Sequence, residues 1–321
     1  MAATNEHEGS NVVSGFVNQL PFSVKASVAE LIATAIFVYI GTGTATTFGS
    51  RIDPETGYTD ESLNTTDLVE TAQGQSNVEV EVLALGEQLT QLGQTMKITA
   101  SWGVTTALAF GFSITVLAYA TSHISGGQLN PAVTFSLALV RSIPISQAIA
   151  NTVAQIVGAI LGSGFLYGTI PEGNENTLGS NIISPGVGFG NALLGEIVMT
   201  TVLCMVVLET GRNKHSAISK SFAPLAIGFA VFCAHAVLLP IDGCSINPAR
   251  SLGPAIVTST WPSNFWVFIV GPYIGAFCAI FPYLFFGWDF EIEKYQDPIN
   301  IRTLIGKTKK TLTSFTGSED V

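Results

Sequence analysis

Six segments of this chain are long and apolar enough to cross the hydrocarbon core of a bilayer, which is roughly 30 Å thick. Within hydrocarbon every backbone N–H and C=O group must be paired inside the protein, so segments of this kind fold as helices. The sequence therefore predicts an all-α membrane protein with six transmembrane helices. The predicted spans are residues 27–48, 99–121, 145–169, 190–210, 222–241 and 265–286.

The charged residues are few and unevenly distributed. Only 11% of the 321 residues are charged, against about 25% in soluble domains. Residues 51–97 hold nine acidic and two basic residues, so they supply −7 of the formal net charge of −10. This stretch is predicted to be an acidic loop between the first two spans.

The basic residues predict the orientation in the membrane. With a cytoplasmic N-terminus, the inner segments carry ten of the 13 Lys and Arg residues, as the positive-inside rule requires. Residues 1–24 and 289–321 are therefore expected to be cytoplasmic N- and C-terminal segments. The expected location is the plasma membrane.

Two copies of one tripeptide, Asn130-Pro131-Ala132 and Asn247-Pro248-Ala249, interrupt the apolar pattern. Asn is a favoured N-cap, and Pro fits the first helical position because the N–H that it lacks would be unpaired there. The first helix, if it runs to about Arg141, would be about 18 Å long, or half a bilayer. The sequence thus predicts two re-entrant half-helices.

An internal repeat relates the two tripeptides. Residues 108–134 match residues 225–251 at a constant offset of 117, with nine identities and no gap. Each copy contains three spans, which is an odd number, so the copies must be inverted in the membrane as a 3+3 repeat.

A Glu-x-x-x-Thr pattern heads one span in each repeat, with Glu30 and Glu196 as the acids. A carboxyl group at membrane depth is costly unless it is paired, so each Glu is expected to accept hydrogen bonds from a folded-in loop. The pair is offset by 166 residues, 49 more than the tripeptides, which marks residues 50–97 as an extracellular insertion. The insertion contains a candidate N-glycosylation site at Asn64.

The sequences around the two tripeptides, residues 125–135 (SGGQLNPAVTF) and 243–251 (GCSINPARS), resemble the aquaporin (major intrinsic protein) family. The resemblance covers residues 25–288 without the 50–97 insertion. It implies a passive water channel driven by osmotic gradients that excludes protons and ions, and a homotetramer in which each protomer has its own pore. Water is the expected permeant, within a lipid bilayer.

The resemblance also implies roles for individual residues. Asn130 and Asn247 would donate hydrogen bonds into the pore. A second constriction lies where the repeats differ, with polar residues in the second copy in place of apolar residues or glycine in the first. The residues expected to form this selectivity filter are Phe110, His235, Cys244 and Arg250.

Other interpretations and sites remain open. The pore could also pass hydrogen peroxide or small neutral solutes, or the chain could be a membrane junction or adhesion protein that uses its acidic insertion as a contact surface. No nucleophile–base pair or metal-ligand cluster is recognisable, so we expect no enzyme activity, cofactor, bound metal or nucleic-acid partner. The candidate gating residues are His123, His215, Ser216 and Ser219.

Overall fold

The computed structural model describes residues 22–49, 103–172, 175, 177–211 and 220–286. Within these residues all regular structure is helical. The helices are α1 (Val24–Gly49), α2 (Gly103–Thr121), α3 (Pro131–Leu139), α4 (Ile145–Tyr167), α5 (Phe189–Gly211), α6 (Ala223–Asp242), α7 (Pro248–Thr258), α8 (Val267–Cys278) and α9 (Ile280–Phe286), with a 3-10 turn at Lys220–Phe222.

The prediction of six membrane spans is confirmed. Helices α1, α2, α4, α5 and α6 are each long and apolar enough to cross a bilayer, and α8 with α9 forms the sixth span, Val267–Phe286. The predicted ends agree within three residues, except that residues 99–102 lie outside the described part of the chain. The described residues up to Tyr283 form one compact unit, and residues 284–286 belong to a second unit.

The first helix shows how the spans are oriented toward lipid. Val28, Ile32 and Ile36 recur every four residues and are between 42% and 52% exposed. Glu30 and Thr34, on the other side of the helix, are fully buried. This pattern is the reverse of that in a soluble helix, where the polar side faces water. The helix therefore directs an apolar face to lipid and polar side chains to the protein interior.

Glycines set close helix contacts in the third and sixth spans. A Cβ atom on Gly158 would lie 2.3 Å from the Leu31 carbonyl oxygen. The backbones of α4 and α1 therefore approach each other closely at Gly158. Gly275 of α8 meets α5 in the same way, because its Cβ would lie 2.5 Å from the Ile197 oxygen. Both repeats therefore have a glycine at a close helix contact, since small residues allow helix backbones to approach closely in a membrane.

Helices α2 and α6 cross at residues that the repeat relates. A Cβ on Gly111 would lie 2.8 Å from the Gly228 oxygen, and one on Gly228 would lie 2.6 Å from the Gly111 oxygen. The two residues are 117 positions apart, the offset of the repeat. The crossing point therefore lies where the two copies of the repeat meet.

The half-helices α3 and α7 begin at the two tripeptides, as predicted, but α3 is shorter than expected. It ends at Leu139 and not at Arg141. Arg141 has a left-handed backbone (φ 56°), and the Ser142 N–H bonds back to the Leu137 oxygen at 2.8 Å. This hydrogen bond is typical of a helix C-terminus, and it stops the helix two residues early.

Candidate functional site

The side chains of the two tripeptide asparagines cap the half-helices. Asn130 and Asn247 both have extended backbones (φ −155° and −154°). The Asn130 Oδ1 accepts a hydrogen bond from the Ala132 N–H at 2.8 Å. The Asn247 Oδ1 accepts from Ala249 at 3.0 Å and from Arg250 at 3.2 Å. These bonds satisfy amides at helix starts that have no partner within the helix.

The other end of each amide ties the two repeats together. The Asn130 Nδ2 donates to the Ile246 oxygen at 2.8 Å, and the Asn247 Nδ2 donates to the Leu129 oxygen at 2.9 Å. An amide nitrogen carries two hydrogens, so each asparagine keeps one further N–H. The resemblance implies that both asparagines donate hydrogen bonds into the pore. Only one N–H of each side chain is available for that role, because the other holds the opposite loop.

The loops that lead into the half-helices have matching backbone shapes. In the first entry loop (residues 122–129), Gly126, Gly127 and Leu129 have φ of 96°, 62° and 52°. The residues 117 positions later in the second entry loop (243–246), Gly243, Cys244 and Ile246, have φ of 78°, 53° and 46°. Cys244 thus adopts a left-handed conformation where the first repeat has glycine, and such a conformation is strained for a side chain with a Cβ.

The two buried glutamates hold these loops. Glu30 accepts from the N–H groups of Gln128 at 2.9 Å and Leu129 at 2.7 Å. Glu196 accepts from those of Ser245 and Ile246, both at 2.7 Å. Both glutamates are fully buried. Each carboxylate therefore pairs two amides of non-helical backbone, which is tolerated at membrane depth only where the protein supplies such partners.

Each entry loop is held against its half-helix by polar side chains that the sequence analysis did not identify. The Thr134 hydroxyl donates to the Gln128 side chain at 2.7 Å, and Ser245 and Ser251 bond at 2.6 Å in the second repeat. The two residues of each pair are six positions apart, and the second pair lies 117 positions after the first. The repeat alignment already held this signal, since it sets Gln128 opposite Ser245 and Thr134 opposite Ser251.

The structure brings the predicted filter residues, called here the filter cluster (Phe110, His235, Cys244 and Arg250), into one buried group. The Phe110 and His235 rings stack with centroids 4.0 Å apart and an interplanar angle of 22°. The Arg250 Cζ lies 5.0 Å from the Phe110 ring centroid. Rings at this distance are in van der Waals contact, so no water fits between them in this conformation.

Backbone carbonyls hold the Arg250 guanidinium. Its Nη1 donates to the Gly179 oxygen at 2.8 Å and its Nη2 donates to the Gly243 oxygen at 3.2 Å. The His235 Nδ1 lies 2.9 Å from the Val231 oxygen, to which it donates. The His235 Nε2 is then left as an acceptor, and it is buried with no hydrogen-bond partner in the described part of the protein.

A cavity of about 500 Å³, counted with its open mouth, lies next to the asparagines. Its walls are mostly apolar, and among its lining residues are Asn130, Asn247, His235, Val133, Leu137 and Val207. Phe110, Cys244 and Arg250 do not line it. The cavity therefore reaches the filter cluster on its asparagine side and stops at His235.

The remaining candidate residues lie apart from this cavity or outside the described residues. His123 is exposed in the turn after α2. The other gating candidates fall outside the described part of the chain; they are His215, Ser216 and Ser219. The 50–97 insertion with Asn64 and the 289–321 tail also lie outside it.

Gly41 packs against the Phe110 ring of the filter cluster and provides a test of the position of that ring. A Cβ on Gly41 would lie 2.3 Å from a Phe110 ring carbon. The methyl group of Gly41→Ala would displace the Phe110 ring, which already contacts His235. Since the resemblance implies a water pore at this cluster, the displaced ring should hinder passage there. We expect Gly41→Ala to lower the osmotic water permeability of reconstituted liposomes several-fold.

The matched control for Gly41→Ala is Gly103→Ala at the start of α2, because a Cβ there meets no atom of the described residues within 4 Å. It should keep the water permeability of the wild type. Equal water permeability in Gly41→Ala and Gly103→Ala liposomes would contradict the assigned position of Phe110.

Comparison with known proteins identifies the family. A profile described as major intrinsic protein matches residues 17–283. The chain belongs to the major intrinsic protein family. This major intrinsic protein is 37% identical to aquaporin-1 of Bos taurus and 36% identical to that of Homo sapiens, in each case over 261 residues and 81% of both chains. It is also 42% identical over 180 residues to a protein of Oryza sativa subsp. japonica described as probable aquaporin PIP2-6, covering 54% of this chain and 64% of that one.

A solved structure has the same fold. The X-ray structure of the aquaglyceroporin from Plasmodium falciparum superposes with a TM-score of 0.59 and covers 83% of this major intrinsic protein and 96% of the other chain. The two sequences are 18% identical. The likeness therefore confirms the predicted fold, with six spans and two half-helices, and carries no argument about the permeant.

Proposed function

We propose that this protein is a passive water channel that excludes protons and ions and is driven by osmotic gradients. The observation that carries the proposal is the pair of asparagine amides, Asn130 and Asn247, which bond reciprocally across the two entry loops and line the cavity. Each amide keeps one N–H beyond its loop-to-loop bond. No chemical step, cofactor or metal is part of the proposed mechanism.

The remaining amide hydrogens explain how water would pass without protons. Two converging donors hold the oxygen of a passing water molecule, so both of its hydrogens point away from the asparagines. A chain of waters that could relay a proton is interrupted at that molecule. The N-termini of α3 and α7 meet at the same place, and their positive helix ends oppose a cation.

The filter cluster supports selection for water. Arg250 is a fixed cation that donates hydrogen bonds and repels other cations, and the His235 Nε2 offers an acceptor. Phe110 supplies an apolar wall opposite these groups. In the resemblance drawn from the sequence, a histidine at position 235 and Ser251 in place of an acid favour water over glycerol.

The assembly and location follow from the family as proposals. We infer a homotetramer in which each protomer carries its own pore, placed in the plasma membrane with both termini in the cytoplasm. The basic residues of the inner segments, ten of the 13 Lys and Arg residues, support this orientation.

The Cys244 thiol provides a test of the water pathway. The filter cluster is the narrowest part of the proposed pore, so a mercurial bound to Cys244 would block it. Wild-type proteoliposomes should shrink faster than empty liposomes in an osmotic jump, and a mercurial should slow them to the empty rate. Cys244→Ser should shrink at the wild-type rate and resist the mercurial.

The three other cysteines serve as the control. Cys204, Cys233 and Cys278 are retained in the Cys244→Ser variant, so a block that persists there would come from one of them. Water flow that is unchanged in mercurial-treated wild type would count against a lumenal Cys244. Shrinkage no faster than in empty liposomes would overturn the proposed function.

A further inference from the structure

Asp242, the last residue of α6, occupies a position where the first repeat has Ser125. Both side chains accept a hydrogen bond from the main chain two residues later. The Ser125 Oγ accepts from the Gly127 N–H at 3.2 Å, and the Asp242 Oδ1 accepts from the Cys244 N–H at 2.9 Å. A hydroxyl is therefore sufficient to hold this turn, and the carboxylate of Asp242 must be explained by something else.

The carboxylate adds a negative charge and a second oxygen. Asp242 is fully buried, and its Oδ2 has no hydrogen-bond partner in the described part of the protein. Burying a charge without compensation costs much more free energy than burying a hydroxyl. A compensating positive charge should therefore lie nearby.

The nearest candidate is Arg250, which replaces Val133 of the first repeat. Arg250 is 1% exposed, and its two terminal nitrogens bond to neutral carbonyls, one of which belongs to Gly243, the residue after Asp242. Its Nε has no hydrogen-bond partner among the described residues. The two charged groups bond to the same peptide unit from opposite ends, since Asp242 accepts from the Cys244 N–H and Arg250 donates to the Gly243 oxygen. Opposite charges held this way in a buried region attract each other more strongly than they would in water.

The other charged and titratable groups of the region have defined places. Glu196 is a second buried acid of the region, but its two oxygens are each bonded to an entry-loop amide. The His235 Nδ1 donates to the Val231 carbonyl, and its Nε2 has no hydrogen-bond partner in the described part of the protein. Asp242 is thus the carboxylate of the filter region whose second oxygen is left over.

We propose that Asp242 is a positioning residue of the filter cluster, which holds the Cys244 turn through one oxygen and balances the charge of Arg250 with its carboxylate. The two charged replacements, Asp242 for serine and Arg250 for valine, then form one unit added to the second repeat. The proposal deepens the proposed function, because it names a determinant of the same filter.

The repeat supplies the substitutions that test this proposal. Asp242→Asn and Asp242→Ser keep an acceptor for the Cys244 N–H and remove the charge, Asp242→Ala removes both, and Asp242→Glu keeps the charge. Each is made in the wild type and in an Arg250→Val background, since valine is the residue of the first repeat. The melting temperature of the purified protein in detergent and the glycerol-to-water permeability ratio of proteoliposomes are measured for every variant.

The charge role predicts a specific pattern. Asp242→Asn and Asp242→Ser should lower the melting temperature by about 5 °C, because each reduces the negative charge that compensates the buried guanidinium of Arg250. Both should raise the glycerol-to-water ratio, since Arg250 is less firmly held, and Asp242→Glu should restore part of both. In the Arg250→Val background the same substitutions should raise the melting temperature, since they then remove a buried carboxylate that has lost its compensating cation.

Other results would overturn the proposal. If only Asp242→Ala lowers the melting temperature, Asp242 merely holds the turn, and Ser125→Ala in the first repeat should show a similar loss. Equal losses with and without Arg250 would show that the two charges are not coupled. If Asp242→Asn yields no folded protein and adding Arg250→Val does not restore it, the proposal also fails. Absent water flux in the wild type would refute the proposed function alone, because the melting temperatures still measure the coupling.

Discussion

Gly162→Ala should lower the free energy of unfolding by about 3 kcal/mol or more, which is the upper range for overpacking in a well-packed interior. A Cβ on Gly162 would lie 2.2 Å from the Ala35 carbonyl oxygen and 2.9 Å from its carbonyl carbon. These are backbone atoms of α1, so no side-chain rotation can relieve the clash and the two helices must separate. The melting temperature in detergent and the yield of reconstituted protein measure the effect.

The same helix offers a matched control two residues later. A Cβ on Gly164 meets no atom within 4 Å in the part of the chain that the structure describes, and alanine is the better helix former by about 1 kcal/mol. Gly164→Ala should therefore be neutral or slightly stabilising. A melting temperature for Gly162→Ala as high as that for Gly164→Ala would mean that α1 and α4 do not pack as described.

Glu196→Ala should abolish osmotic water permeability and destabilise the protein by about 3–5 kcal/mol, because it leaves two buried amide groups without partners. Those amides, of Ser245 and Ile246, lie directly before Asn247. Without them the second entry loop loses its anchor, and with it the reciprocal bond between Asn247 and Leu129. Stopped-flow light scattering of proteoliposomes and a thermal melt measure the two effects.

Glu172→Ala is the control for removing an acid, since Glu172 is exposed in the segment after α4. It should change neither the water permeability nor the melting temperature. Wild-type permeability in Glu196→Ala liposomes would show that the carboxylate does not hold the loop.

Local rules were enough to predict most of the fold. The six spans follow from hydropathy and length, and the starts of α3 and α7 follow from the capping preference of asparagine and the fit of proline at the first helical position. The glycine spacing of α4 and α8 favours close helix contacts, because only small residues let backbones meet in a membrane. Each of these signals lies within one short stretch of sequence.

The details of the candidate site could not be predicted in the same way, because they depend on residues far apart in the chain. The bond from Asn130 to Ile246 joins residues 116 positions apart, and the contact between Phe110 and His235 joins two helices of different repeats. The early end of α3 depends on a left-handed Arg141, which sequence preference does not favour.

The central claim, a pore selective for water, is tested most directly by comparing two osmolytes. Proteoliposomes containing the full chain are mixed rapidly with hyperosmotic sucrose and, separately, with hyperosmotic glycerol, and their volume is followed by stopped-flow light scattering beside empty liposomes. The account predicts fast shrinkage in both, with re-swelling in glycerol no faster than in empty liposomes. Fast re-swelling in glycerol, or shrinkage at the rate of empty liposomes, would contradict it.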